Sequence, residues 1–331
     1  MIQAWTVLLD SIRMLRASKI FAIALAISLL LALVFVSIRI GQSSFSIFFG
    51  LLEFEFDLSL LGDEGGKMVY IYIFQNAFID WWLAWFAILL ALISTCQIFP
   101  RFMESGSIEI PLSKPISRQR LFFLKYLTGH LFVFLQTSVF CGIVFIGLRY
   151  RLGFWNFSIF WAIPVISFAF GILYSVCVFM GVKTRSTLFS LLLTLVFWAF
   201  TLIPQWIEEV LYQTTKIYPA LGTSIDWKTG QLKDTADPVP LWLQRWTEIQ
   251  HEVNVYIPKT RECTKSLIRL IQLEDPSRSD VTSSQSRFPS SAQITKQLSE
   301  RYTWAEIYLS AAVFQILLCA WSMRIFCRRD Y

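Results

Sequence analysis

The sequence has few charged residues and very few histidines for its length. Only 16% of the 331 residues are Asp, Glu, Lys or Arg, only two are His, and 55% are hydrophobic. One soluble core cannot bury that much apolar surface, so we expect an integral membrane protein in a lipid bilayer. The formal net charge of +6 does not indicate a nucleic-acid partner, because the basic residues are spread between long uncharged stretches.

The six cysteines form neither a disulfide pattern nor a metal-binding pattern. Most lie inside apolar stretches, and only Cys263 falls in a long polar region. Their spacings do not match those of zinc ligands. The first apolar stretch, residues 20–38, is longer than the core of a signal peptide and no small-x-small cleavage site follows it. We therefore expect it to remain as a membrane span.

Motifs for ATP binding and hydrolysis are missing as well. The nearest phosphate-loop candidate has Leu61 in place of the first glycine and Met68 in place of the Ser or Thr after the lysine. The sequence contains neither H-E-x-x-H nor G-x-S-x-G. His130 is expected at the headgroup level, and His251 has only Glu252 beside it. We expect no enzymatic activity, no metal and no cofactor in this chain.

Six apolar stretches are long enough to cross, or nearly cross, a bilayer. A spanning helix needs about 20 apolar residues, and none of the six contains Asp, Glu, Lys or Arg. The fourth contains Pro164 and is overlong, so tilt or a kink is expected there. The predicted fold is an all-α membrane protein with these six transmembrane helices: 20–38, 81–99, 129–148, 152–182, 186–207 and 307–323.

The Lys and Arg residues of the short loops predict the orientation of these spans. Basic residues collect on the cytoplasmic side of membrane proteins. With the N-terminus inside, four basic segments fall on that side, at 13–19, 101–125, 183–185 and 324–329, and the acidic first loop falls on the other. Arg149 and Arg151 are the exception. We expect both termini in the cytoplasm, most simply of a bacterial inner membrane.

Two regions outside the spans carry helical periodicity. Residues 1–19 have apolar residues at helical spacing and predict an interfacial amphipathic helix, which is either a topology anchor or a partner-binding element. Residues 208–301, between spans five and six, predict two short helices and a Ser-rich tether outside the cell membrane. That region is either a compact helical cap on the membrane surface or a binding site for a released substrate or an extracytoplasmic partner. Residues 302–331 are the last span and a cytoplasmic tail.

The cytoplasmic loop between spans two and three, residues 100–126, has an unusual order of residues. Gly106 permits a bend, Pro115 cannot continue a preceding helix, and Ser117 is suited to cap the helix that runs into span three. Glu104 and Glu109 would face a cytosolic partner or pair with nearby basic residues. One interpretation of this loop is a basic segment that only fixes topology, but Lys and Arg alone would suffice for that.

The order Glu-x-Gly-[Ser/Thr]-x-Glu, then Leu-Ser-x-Pro-Ile-Ser-Arg and a later Lys, resembles the signature loop of type-2 ABC transporter permeases. This exporter class includes the copper-maturation permease, and its loop forms a coupling helix that docks on a separate ATP-binding subunit. Pro111 departs from the family pattern, which usually has an aliphatic residue there. The resemblance assigns the contact with the ATPase to eight residues: Glu104, Gly106, Glu109, Ser113, Lys114, Pro115, Ser117 and Arg118.

The resemblance therefore implies the permease subunit of an ABC exporter. Its partners would be a separate ATP-binding cassette subunit and a second permease subunit, either a second copy or a related chain. The alternative from a different class is a mechanotransmitting or scaffold membrane protein. Such a protein would use the same ATPase docking to control an extracytoplasmic partner without moving a substrate.

Overall fold

Within the part of the chain that the computed structural model describes, six helices are long and apolar enough to cross a membrane. They correspond to the six predicted stretches, which confirms the all-α membrane fold. The predicted interfacial helix, the Ser-rich tether and Pro111 lie outside the described residues, which are 19–40, 44–55, 70, 73–104, 116–153, 155–217, 219, 224–225, 232–233, 239–271 and 301–329.

The spans are built from seven helical elements. They are α1 (Lys19–Ser37), α2 (the π-helical Phe74–Ala87 continued by Ile88–Thr95), α3 (Ile98–Phe102), α4 (Arg118–Leu152), α5 (Ala162–Thr184, after a 3-10 turn at Phe157–Trp161), α6 (Thr187–Tyr212, continued by a π-helical turn at Gln213–Ile217) and, last in the chain, α9 (Trp304–Arg328). Two shorter helices precede α9, namely α7 (Leu241–Tyr256) and α8 (Thr260–Leu270).

Short strands in the loops were not predicted. After α1, β1 (Arg39–Ile40), β2 (Ser44–Ile47) and β3 (Leu52–Glu55) form an antiparallel sheet in which Phe45 is opposite Phe54. The alternation of apolar and acidic residues along β3 is typical of a strand. A second pair, β4 (Ser224–Ile225) and β5 (Leu232–Lys233), lies between α6 and α7.

The boundaries of α4 explain why the fourth predicted stretch is overlong. At its start, the Ser117 side chain accepts a hydrogen bond from the Arg120 N–H (3.4 Å), as predicted for a cap. At its end, Gly153 takes a left-handed conformation (φ 83°), so Leu152 belongs to α4. Pro164 lies in the first turn of α5, where its missing N–H needs no partner. A turn before α5, not a kink at Pro164, accounts for the extra length.

The chain forms two compact units. The first contains residues 1–195 and 315–331, and the second contains residues 196–314. In the first unit α4 packs against both α1 and α5, and Gln136 of α4 donates a hydrogen bond to Ser28 of α1 (2.7 Å). The second unit, called here the 196–314 unit, includes α7, α8 and the whole of the region predicted to lie outside the membrane.

Close contact between α4 and α5 depends on Gly129. A Cβ atom added there would lie 2.5 Å from the ring of Tyr174, which is buried and cannot move aside. Gly142 on the same helix has no atom within 4 Å of the corresponding position. We expect Gly129→Ala to cost about 1–3 kcal/mol through overpacking, and Gly142→Ala to be neutral or stabilising.

Thermal unfolding of the two variants in the same detergent provides the measurement. A clear drop in melting temperature for Gly129→Ala alone is the expected result. Equal melting temperatures for the two alanine variants would contradict the close approach of α4 and α5 at Tyr174.

Candidate functional site

The structure describes three of the eight residues predicted to contact an ATPase. Glu104 is exposed directly after α3, Ser117 caps α4, and Arg118 is the first residue of that helix. The other five, which lie outside the described residues, are Gly106, Glu109, Ser113, Lys114 and Pro115. The three described residues therefore lie at or next to the two ends of residues 105–117, the central part of the predicted coupling loop 100–126, which is called here the coupling segment.

The side chain of Arg118 binds the end of α9. Its Nη1 donates hydrogen bonds to the backbone carbonyl oxygens of Cys327 (3.1 Å) and Arg329 (2.8 Å). The last carbonyls of a helix have no partner within the helix and lie at the negative end of its dipole. An arginine is therefore well suited to this position, and it ties the start of α4 to the end of α9.

Arg329 makes the same kind of contact with α5. Its Nη1 and Nη2 donate to the carbonyl oxygens of Val182 (2.5 Å) and Lys183 (3.0 Å), in the last turn of that helix. Arg118 and Arg329 together are called here the arginine clasp. The clasp joins the start of α4 to the ends of α5 and α9, all within the first unit.

Aromatic contacts beside the clasp also involve α3, the helix before the coupling segment. Phe326 of α9 is buried, and its ring lies 6.1 Å from that of Phe102 in α3 and 5.7 Å from that of Phe122 in α4. Because α3 precedes the coupling segment and α4 follows it, both helices that flank the segment contact α9. A displacement of the segment would therefore act on several spans together.

A polar cluster joins α4, α5 and α9, the three helices of the arginine clasp, at a second place in the first unit. Gln315 of α9 donates to the Tyr126 hydroxyl of α4 (3.0 Å), and His130 packs beside Tyr126 and Tyr174. His130 lies about 18 Å along α4 from its first residue, one and a half turns after Lys125, and its side chain is partly buried. Polar groups within a span need internal partners. The cluster thus links α4, α5 and α9 a second time.

The 196–314 unit contains a buried network that the sequence did not predict. Glu208 near the end of α6 is 1% exposed and accepts hydrogen bonds from the Tyr302 hydroxyl, the His251 Nδ1 (2.9 Å) and the Asn254 amide. In the sequence, His251 has only Glu252 beside it. Its partner in the structure is 43 residues away, a distance that sequence spacing does not reveal.

Three further carboxylate contacts complete this network. Glu209 pairs with Lys265 and with Arg261 (2.9 Å), and Glu262 pairs with Arg301. Buried charges are stable only when paired and hydrogen-bonded, so these pairs hold α6, α8 and the residues before α9 together. Glu208 and its three donors, with these pairs, are called here the buried network.

Burial and neighbouring charges shift several pKa values in this network. Burial raises the pKa of the Cys263 thiol to about 12 and, together with the Glu208 carboxylate, raises the pKa of the Tyr302 hydroxyl. Burial lowers the pKa of Lys259, whose ammonium group lies 4.1 Å from the centre of the Tyr302 ring. Among the described residues, no group of His, Cys, Asp and Glu side chains is arranged to hold a metal ion. The paired charges of the network form an ionic core within the 196–314 unit.

Comparison with known proteins identifies the family. The family model for ABC-2 family transporter proteins matches residues 54–330. No curated protein matches the chain significantly. Because the family match covers most of the sequence, the protein belongs to the ABC-2 transporter family, and it is a multi-pass membrane permease subunit of an ABC transporter whose ATP hydrolysis lies in a separate subunit.

Proposed function

We propose that this permease belongs to an exporter and is driven through the coupling segment, residues 105–117. The arginine clasp is the observation that carries the proposal. Arg118 follows the segment directly and is tied to α9, and Arg329 extends the tie to α5. A contact made by an ATP-binding subunit on this segment would move three spans as one body, which is what a rigid lever requires.

The remaining parts of the proposal follow from the sequence. The basic loops support a topology in which both termini and the coupling segment face the cytoplasm, and the proposed membrane is a bacterial inner membrane. There Glu104 and the other predicted contact residues meet the ATP-binding subunit. A second permease subunit completes the pathway, and the resemblance of the segment to an exporter class gives the direction of transport. ATP-driven closure of the ATP-binding subunits would then switch the access of the spans.

A charge reversal at Glu104 tests the docking. Glu104 is exposed, so Glu104→Arg places a like charge against a basic partner surface without disturbing the fold of this chain. We expect co-purification of the co-expressed ATP-binding subunit to fall about tenfold or more, since juxtaposed like charges cost several kcal/mol. The matched control is Glu248→Arg, on the exposed face of α7. Equal recovery of the ATP-binding subunit with both variants would overturn the proposed docking.

The second candidate function is mechanotransmission to an extracytoplasmic partner. The observation that favours it is the compact 196–314 unit with its own buried network. Deleting the Ser-rich tether, residues 276–293, separates the two functions. Loss of ATP-driven efflux in that variant would favour transport, whereas loss of partner capture with efflux retained would favour mechanotransmission.

A further inference from the structure

Buried cationic side chains outnumber buried carboxylates in the buried network of the 196–314 unit. Its carboxylates are Glu208, Glu209 and Glu262, each 9% exposed or less. Four cationic side chains are buried or nearly buried beside them: Lys259, Arg261, Lys265 and Arg301. His251 is not counted, since its ring is charged only when protonated. The described part of the network therefore carries one positive charge more than its carboxylates neutralise.

Lys259 is the buried cation without a hydrogen-bond partner. Its side chain is 1% exposed, and its ammonium group has no acceptor among the described residues. The ammonium group lies 4.1 Å from the centre of the Tyr302 ring, which attracts a cation but does not neutralise its charge. The Glu306 carboxylate, which is nearby, accepts a hydrogen bond from the Thr303 N–H (2.8 Å) at the start of α9. Burial of an ammonium group in this state is costly unless an anion binds it.

Two arginines of the network use only part of their hydrogen-bonding capacity. Arg261 binds Glu209 and Arg301 binds Glu262, each through Nη2. The Nε and Nη1 atoms of both guanidinium groups are buried and have no acceptor within the described part of the chain. Each guanidinium thus leaves three N–H donors unsatisfied, one on Nε and two on Nη1. Buried polar groups are nearly always hydrogen-bonded, so these donors indicate a ligand that supplies acceptors.

The three side chains with unsatisfied donors lie close together. The Cζ of Arg301 is 5.0 Å from the centre of the same Tyr302 ring that Lys259 contacts, and the two cations repel each other. Arg301 also interacts electrostatically with Glu209, the carboxylate to which Arg261 is bound. Lys259 and Arg261 are two residues apart at the start of α8. The unsatisfied donors therefore lie in one region around Tyr302 and Glu209.

We propose that Lys259, Arg261 and Arg301 form a binding site for a phosphate group. Their unsatisfied donors, three on the ammonium and three on each guanidinium, are more than the two oxygens of a carboxylate can accept, whereas a phosphate presents three or four oxygens. The planar guanidinium group of arginine also matches the spacing of phosphate oxygens. The negative charge of the phosphate would offset the excess positive charge of the network.

Arg261 marks the side from which the phosphate group would enter. Its side chain is 13% exposed, against 1% for Arg301. Its Cζ lies 5.5 Å from the centre of the exposed Trp206 ring, near the end of the apolar stretch of α6. A phosphate on a lipid headgroup and a phosphate on a soluble molecule can both reach the end of a span. This inference does not depend on the proposed coupling or on the proposed orientation.

Alkylation of Cys263 measures phosphate binding in the full chain. Cys263 is fully buried in α8, so a reagent reaches it only when the unit opens. A ligand that binds the folded unit therefore slows the reaction by mass action. The chain is kept in an uncharged maltoside detergent at pH 8, in a buffer without phosphate. Sodium phosphate and glycerol 3-phosphate are compared with sodium chloride at equal ionic strength, and phosphatidylglycerol is compared with diacylglycerol.

Lys259→Met is the variant that distinguishes a binding role from a structural one. Without phosphate, removal of a buried ammonium group that has no partner should slow Cys263 alkylation severalfold relative to the unaltered chain. Phosphate should slow alkylation of the unaltered chain severalfold and should leave Lys259→Met unchanged. The matched control is Lys216→Met, at an exposed position of the same unit, which should respond to phosphate as the unaltered chain does.

The responses to the different compounds identify the source of the phosphate group. Slowing by sodium phosphate and glycerol 3-phosphate supports a soluble ligand, and slowing by phosphatidylglycerol alone supports a lipid headgroup. The proposal is wrong if no phosphate compound slows alkylation more than its reference does, or if Lys259→Met is slowed as much as the unaltered chain. Faster alkylation of Lys259→Met without phosphate would also overturn it, because Lys259 would then stabilise the unit without a ligand.

Discussion

Replacing Glu208 by alanine is expected to destabilise the 196–314 unit by about 3–5 kcal/mol. The Glu208 side chain is almost fully buried and accepts hydrogen bonds from Tyr302, His251 and Asn254. Alanine leaves the buried Tyr302 hydroxyl without its acceptor, removes one hydrogen bond each from the half-exposed His251 and from Asn254, which keeps the Pro204 carbonyl as an acceptor, and creates a cavity at the end of α6. A buried donor that loses its partner costs about 1–3 kcal/mol, and each of the other two hydrogen bonds contributes about 0.5–1.5 kcal/mol, so the three losses together account for an effect of this size.

Alkylation of Cys263 at pH 8 reports this loss directly. Cys263 is fully buried in α8, and burial raises its thiol pKa to about 12, so the thiol is protonated and unreactive in the folded unit. Once the unit opens, the pKa returns to about 8.5 and alkylation becomes rapid. Because the pKa of Cys263 is raised in the folded state, its protonated thiol contributes stability that is fully present below the unfolded pKa of about 8.5. This stability is lost as pH rises from the unfolded pKa through the folded pKa. At pH 8 the rate therefore reports unfolding and not titration.

The expected increase in the rate of Cys263 alkylation is about a hundredfold or more, at 1.36 kcal/mol per factor of ten. Glu252→Ala, at an exposed position on α7, is the matched control and should change stability by no more than about 0.5 kcal/mol. Peptide mapping by mass spectrometry separates Cys263 from the other five cysteines. If the Glu208 and Glu252 variants react at the same rate, Glu208 does not hold the unit together.

The transmembrane helices and several local features could be predicted because short-range physics determines them. A stretch of about 20 uncharged apolar residues can be satisfied only as a spanning helix. The cap at Ser117 depends on one side chain and the backbone three residues away. The helices α7 and α8 follow from apolar periodicity within a single segment.

The clasp and the buried network could not be predicted because their partners are distant in sequence. Arg118 and Arg329 were counted only as predicted contact and topology residues, yet the carbonyl that Arg118 binds is 211 residues away. Tyr302 is 94 residues from Glu208. Which charges meet is decided by the packing of whole helices, and composition or spacing in one segment carries no information about it. The acidic pair Glu208 and Glu209 at the end of an apolar stretch was the only local signal.

Arg329→Gln is expected to separate ATP hydrolysis from movement of the spans. Arg329 lies in the tail after α9 and binds the last carbonyls of α5, outside the predicted contact with the ATP-binding subunit. Each of the two hydrogen bonds from Arg329 to α5 is partly exposed and contributes about 1 kcal/mol. Their loss shifts the equilibrium between bound and released helix ends by more than tenfold. Docking of the ATP-binding subunit should be unchanged. The transmission of its movement to α5 and α9 should be weakened.

Two measurements on the assembled complex distinguish transmission from docking. The first is co-purification of the ATP-binding subunit with its ATP hydrolysis rate, expected within twofold of the unaltered complex, roughly 0.4 kcal/mol. The second is the ATP-dependent change in accessibility of a label at Leu317→Cys, an exposed position of α9, expected to fall severalfold. Arg328→Gln, at the exposed neighbouring position, is the matched control.

Arg118→Gln should reproduce the transmission defect. The double variant Arg118→Gln, Arg329→Gln should be little worse than either single variant, because both arginines hold the same set of helix ends together. This non-additivity separates a clasp from two independent surface charges. If the complex also loses its ATP-binding subunit in Arg118→Gln but not in Arg329→Gln, then Arg118 contributes to docking as well as to the clasp. If Arg329→Gln behaves like Arg328→Gln in both measurements, the helix ends are held by packing around Phe326 and not by the arginines.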